Sequence, residues 1–118
     1  MIRILAVLAG LIFILAGLVG YGVLPQFLKD GLLLGYLEVD NLHNMIHLSV
    51  GVLALLCASS RGLSRMFFAL FGILFAIAAG VGFYQGGDLV FMQVNMADNY
   101  FHAGVAAVFL LIALACSA

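Results

Sequence analysis

Four apolar stretches, none with a charged side chain in its interior, constrain this chain more than any other feature. A helix needs about 20 predominantly apolar residues to cross a bilayer, with a range of about 17–25. Ile4 to Leu24 is the first such run, and Pro25, which cannot continue a helix, follows it. The second extends from about Leu42 to Ala58, with Asn and His near its start, the third from Met66 to Tyr84, and the fourth from about Tyr100 to Cys116. Hydrocarbon cannot satisfy exposed backbone groups, so these runs are expected to be helices. Composition agrees: 67% of the 118 residues are hydrophobic and 8% are charged, against about 25% charged in soluble domains. Such a chain has too little polar surface for a secreted globule or a disordered segment. Its net charge of −1 gives nucleic acid nothing to bind. The expectation is an all-α membrane protein. Residues 1–118 should form a single transmembrane domain, a four-helix bundle in the lipid bilayer. The first run is longer than the roughly 7–15 residues of a signal-peptide core and is taken as a true helix.

The few charges suggest an orientation. Arg3 precedes the first run, and Arg61 and Arg65 lie between the second and third. An even number of spans separates them, so all three fall on one side, with Lys29 on the other. The excess of Arg places that side, and both termini, in the cytoplasm. Asp30, Glu38, Asp40, Asp88 and Asp98 then all fall at the outer mouth. The apolar pieces Gly31–Tyr36 and Leu89–Met92 are too short to span and are expected to lie along the outer surface.

An internal repeat carries most of the polar residues. Glu38 to His47 aligns without a gap on Gln93 to His102: Val39 meets Val94, Asn44 meets Asn99, and His47 meets His102. Asp40 and Asn95 form an acid/amide pair, and His43 faces Asp98. The chain is therefore expected to be two parallel helical hairpins, repeat one at about 1–60 and repeat two at about 61–118, related by a pseudo-twofold axis along the membrane normal.

The repeated motifs suggest two kinds of chemistry. His43 and His47 are four apart, as are Asp98 and His102, so each pair shares a helix face. If the second and fourth helices face one another, His43, His47, Asp98 and His102 converge as candidate ligands for zinc or another transition metal. Asn44 and Asn99 would then orient the imidazoles. The His-Glu signature of metalloprotease helices is absent, because Asn44 follows His43. The competing reading, preferred on sequence alone, is a structural clamp. In it Asn44, Asn99, Asn41, Asp40 and Asn95 form a hydrogen-bonded polar cluster with the histidines, while Asp98 or Asn99 caps the fourth helix and Asn41 or His43 starts the second. A proton relay is disfavoured because the inner half of the spans holds no acid, His or Lys. Haem on His47 and His102 has no attachment motif to support it.

The paired motifs His43-Asn44-Met45-Ile46-His47 and Ala97-Asp98-Asn99-Tyr100-Phe101-His102 resemble those of a family of small bacterial four-helix integral membrane proteins of unknown function. The resemblance covers nearly the whole chain. It implies four spans in a bacterial cytoplasmic (inner) membrane, and no activity. Nothing in the sequence marks an enzyme: nucleophile–base pairs, phosphate loops and cofactor fingerprints are missing. The preferred function is a structural or accessory subunit, in a larger membrane complex or a homo-oligomer. The alternative is a metal- or small-ligand-binding membrane protein. Ala6/Gly10, Ala16/Gly20, Ala76/Gly80 and Ala78/Gly82 are spaced for close helix contacts. Phe67, Phe68, Phe71, Phe75 and Phe83 are expected to face lipid or a partner. Cys57 and Cys116 are taken as packing residues.

Overall fold

The computed structural model describes residues 1–22, 25–29, 32–33, 35, 40–85 and 95–116. Four helices dominate: α1 (Ile2–Gly20), α2 (Asn41–Cys57), α3 (Arg61–Gln85) and α4 (Met96–Ala115). Helices α1, α3 and α4 are long and apolar enough to cross a membrane, whereas α2 is apolar but shorter at 17 residues. Its first two turns carry Asn41, His43, Asn44 and His47, which shortens its apolar stretch.

Local chemistry sets the ends of these helices. Helix α1 stops before Pro25: the amide of Gly22 donates to the Val19 carbonyl, and Gly22 takes a φ of 85°, a conformation glycine adopts without penalty. Asp40 caps α2, its side chain accepting from the His43 amide at 2.7 Å. Asn95 caps α4 in a reciprocal box: Asn95 Oδ1 accepts from the Asp98 amide at 2.9 Å, and Asp98 Oδ2 accepts from the Asn95 amide at 3.0 Å. The N-cap residues are thus Asp40 and Asn95 rather than Asn41, His43 or Asn99, while Asp98, expected to cap α4, supplies the other half of its capping box. Arg61 and Arg65 belong to the first turns of α3 rather than to a loop, because Ser60 Oγ receives the Leu63 amide and starts the helix early.

Between α1 and α2 lie a 3-10 turn at Pro25–Phe27 and a small antiparallel ladder, in which β1 (Leu28–Lys29) pairs with β2 (Leu32–Leu33) and Lys29 stands opposite Leu32. The rest of the piece expected along the outer surface there, and all of Leu89–Met92, lie outside the described residues, as do Asp30, Glu38 and Asp88.

Helix α1 packs along α2, and α3 packs along α4. In the first pair the backbones meet: a Cβ on Gly51 would come within 2.7 Å of the Gly10 carbonyl oxygen, and one on Gly10 within 2.8 Å of the Gly51 oxygen. In the second pair Gly72 faces the side chain of Leu110. Both pairs are tied at the arginine end, where Arg3 Nε donates to the Ala58 carbonyl at 2.7 Å and Arg65 Nε donates to the Ala113 carbonyl at 2.8 Å.

The pairs meet through aromatic rings. Phe13 stacks on Phe75 with centroids 5.4 Å apart, and Phe109 sits edge-on to both. Phe67, Phe68 and Phe75 are buried in this core, which corrects the expectation that the phenylalanines of the third helix face lipid. Lipid is as apolar as a phenyl ring, so packing geometry rather than hydrophobicity assigns those residues their face. Phe83 alone of that set is exposed. Gly80, expected in a close contact, has open space where its Cβ would be. Cys57 and Cys116 are free thiols, half-buried against the core.

Candidate functional site

Among the described residues, the buried polar side chains other than Ser64 of α3 collect in the first two turns of α2 and α4, at the end opposite the arginines. His43, Asn44 and His47 of α2 and Asp98, Asn99 and His102 of α4 are all buried. The i, i+3 and i, i+4 spacing of each motif turns its members to one face, and packing the two hairpins together points those faces at each other.

The imidazoles form the centre. His43 lies 4.4 Å from His47 and 5.8 Å from His102, ring centroid to ring centroid. One nitrogen from each of the three rings falls within 4.8 Å of the others, and the exposures are 1%, 5% and 2%. Of the four ligands expected from sequence, these three converge as a group. Asp98, one helical turn before His102, is also buried, but it is not part of that group, and one oxygen of its carboxylate serves the α4 capping box.

A layer of phenyl rings lies beneath. Phe13 meets the His47 ring edge-on at 5.5 Å, and Phe75 meets the His102 ring at the same centroid distance. Since Phe13 and Phe75 stack on each other, an apolar floor separates the histidines from the half of the bundle that holds Arg3 and Arg65. A shell of this kind restricts water and lowers the local dielectric.

Each asparagine is seated on a glycine of the neighbouring helix. A Cβ at Gly20 would fall on Asn44 Oδ1, and one at Gly82 would fall on Asn99 Oδ1. Asn99 Nδ2 reaches Met96 Sδ at 3.4 Å. Among the described residues, Asn44 Oδ1, Asn99 Oδ1, His47 Nε2 and His102 Nδ1 are buried without a hydrogen-bond partner. Asn41 is at the surface, where its carbonyl accepts from the Tyr21 hydroxyl at 3.1 Å. Of the expected polar cluster, then, Asn44 and Asn99 are internal, Asp40 and Asn95 are caps, and Asn41 is peripheral.

The Ala-x-x-x-Gly spacing marks Gly20 and Gly82 for close contacts but does not pair those glycines with the asparagines. In the sequence Arg3 and Arg65 are only orientation markers; in the fold they tie helix ends together. The Asn95-x-x-Asp98 spacing was the available signal for the capping box.

Three nitrogen donors, or three plus a carboxylate, can hold zinc or a related ion with a coordination position to spare. Zinc–nitrogen bonds of about 2.0–2.1 Å need the donors closer than the 4.8 Å found here. The χ2 torsion of an imidazole is soft, which gives the rings freedom to turn their nitrogens toward a shared ion. No curated protein and no solved structure is similar to the chain. Residues 3–115 match the family described as domain of unknown function DUF4383, and the chain belongs to that family.

Proposed function

We propose that this is a four-span protein of the bacterial cytoplasmic membrane that binds a transition metal, zinc being the reference case, through His43, His47 and His102. The observation that carries this reading is the convergence of three buried imidazole nitrogens within 4.8 Å. Buried polar atoms are costly unless something satisfies them. The His47 and His102 nitrogens named above have no hydrogen-bond partner among the described residues, and a bound cation satisfies such donors directly. Asn44 and Asn99 stand at the second rank, positioning the helices that carry the rings.

In this reading the bundle is two parallel hairpin repeats with both termini in the cytoplasm. Several correspondences support the repeat: Arg3 on Ala58 with Arg65 on Ala113, Gly20 under Asn44 with Gly82 under Asn99, Phe13 at His47 with Phe75 at His102, and the caps Asp40 and Asn95. The 17-residue α2 spans as well. It runs beside α1 from Asn44 at Gly20 to Ala58 at Arg3, and 17 residues lie at the lower limit for crossing.

Cobalt(II), a spectroscopic stand-in for zinc, tests the site. The full chain in detergent is expected to take up one equivalent with the visible bands of a low-symmetry nitrogen site, and His47→Ala and His102→Ala to abolish them. Unchanged spectra in both variants would remove this reading.

A second reading, the accessory or scaffold subunit, is favoured by the asparagine–glycine contacts, which pin α2 to α1 and α4 to α3 whatever the cluster binds. It expects Asn44→Ala and Asn99→Ala to lower the melting temperature, and a larger complex or a homo-oligomer to be recovered in mild detergent. Melting temperatures equal to that of the parent protein would count against it.

A further inference from the structure

The end of the bundle opposite the histidines carries a second feature. Arg3 and Arg61 flank a cleft of about 400 Å³, walled otherwise by Met1, Ile4, Val7 and Ala58. Arg3 approaches it from the first turn of α1 and Arg61 from the first residue of α3. The bond from Arg3 Nε to the Ala58 carbonyl fixes that guanidinium in place and uses one of its five donors, so four N–H groups remain on its terminal nitrogens. Arg61 is exposed, and its side chain makes no hydrogen bond or ion pair with a described residue.

Among the described residues, no acid balances these charges. The described acids Asp40 and Asp98 sit at the other end of the helices. In the sequence, Asp30, Glu38 and Asp88 fall in the α1–α2 and α3–α4 connections. A cleft with two guanidinium groups and no carboxylate complements a phosphate, whose oxygens accept paired N–H bonds from arginine. Its apolar wall, Ile4 and Val7, belongs to the exposed face of α1 that also shows Leu8 and Leu11, the surface that meets hydrocarbon in a membrane.

The geometry points to a phosphate-binding site at Arg3 and Arg61 that takes the phosphodiester of an anionic phospholipid headgroup or a free phosphate ion. In the second hairpin Arg65 ties the Ala113 carbonyl as Arg3 ties Ala58, but the remaining arginines, Arg3 and Arg61, both belong to the cleft. This inference is independent of the metal site.

Native mass spectrometry of the full chain, released from micelles containing phosphatidylglycerol or supplied with inorganic phosphate, tests it. One phosphatidylglycerol is expected to stay bound, with about tenfold weaker retention in Arg61→Gln, the scale of losing a charge-assisted hydrogen bond. Retention of inorganic phosphate with the same dependence on Arg61 would identify the free ion as the ligand. Arg65→Gln removes the same charge from the same end and is expected to leave retention intact, with helicity by circular dichroism as the folding control. A second arm covers the case in which Arg65→Gln fails to fold. Arg61→Gln/Gly62→Arg restores the net charge at a position with open space around it and is expected not to restore retention. Equal loss in the Arg61 and Arg65 variants, rescue by the displaced arginine, or retention of neither phosphatidylglycerol nor phosphate overturns the inference.

Discussion

The two helix pairs are closed by matching devices at their ends and packed by opposite means in their middles. α1 and α2 approach until Gly10 and Gly51 present backbone to backbone. α3 and α4 are instead filled by rings: Phe67, Phe68 and Phe109 pack with centroids 5.0–5.7 Å apart, whereas the first pair places Ala6 and Ala54 in its core. A backbone contact fixes distance and leaves side chains little say, while a ring contact can be repacked. The same asymmetry appears in the polar cluster. α2 contributes two histidines, but α4 offers Asp98 where α2 has His43, and Asp98 serves the helix cap. One pair therefore supplies two of the three converging rings and the other supplies one.

The largest effect expected in breaking this comparison comes from the ring-packed side. Phe109→Ala removes contacts with Phe13, Phe67, Phe68 and Phe75 and should destabilise the protein by about 3 kcal/mol or more in reversible unfolding from micelles. Gly51→Ala comes next, at about 2–3 kcal/mol, because its methyl would meet the Gly10 carbonyl and the Ile14 backbone, neither of which can turn aside. Gly20→Ala and Gly82→Ala should each cost about 1–2 kcal/mol, since the obstacle there is the end of an asparagine side chain. Combining either with Asn→Ala at its partner should recover part of the loss, a coupling that a double-mutant cycle reads directly. Gly72→Ala faces chiefly a leucine side chain and should fall below Gly51→Ala. If the two proved equal, the contrast between backbone and side-chain packing would fail. The smallest effect belongs to Gly80→Ala, which meets nothing and should be neutral or slightly stabilising through helix propensity.

The helices were legible in the sequence because charge-free apolar length is itself the signal for a span. Even so, Gly22 rather than Pro25 ends α1, a matter of one backbone angle that a proline visible in the sequence masks. His43, His47 and His102 were legible as candidate ligands because helical spacing puts such residues on one face. The place of Asp98 was less so: the same carboxylate three residues after Asn95 suits a metal ligand and a capping box, and only the helix boundary separates the two. The phenylalanines of α3 were assigned to lipid or a partner, and Phe67, Phe68 and Phe75 are buried instead, because in a membrane chain apolar residues are expected toward lipid and toward the core alike. The seating of Asn44 on Gly20 and of Asn99 on Gly82 needs the relative height of two helices, which no local pattern encodes.

The three histidines carry the metal-binding proposal. Elemental analysis of the full chain, purified gently without chelators and without metal-affinity chromatography, tests them most directly, with His47→Ala and His102→Ala prepared in parallel. One equivalent of a transition metal per chain, absent from both variants while their helicity persists, is the predicted result. A parent protein that holds no metal after equilibration with zinc, or variants that hold as much as the parent, would contradict it.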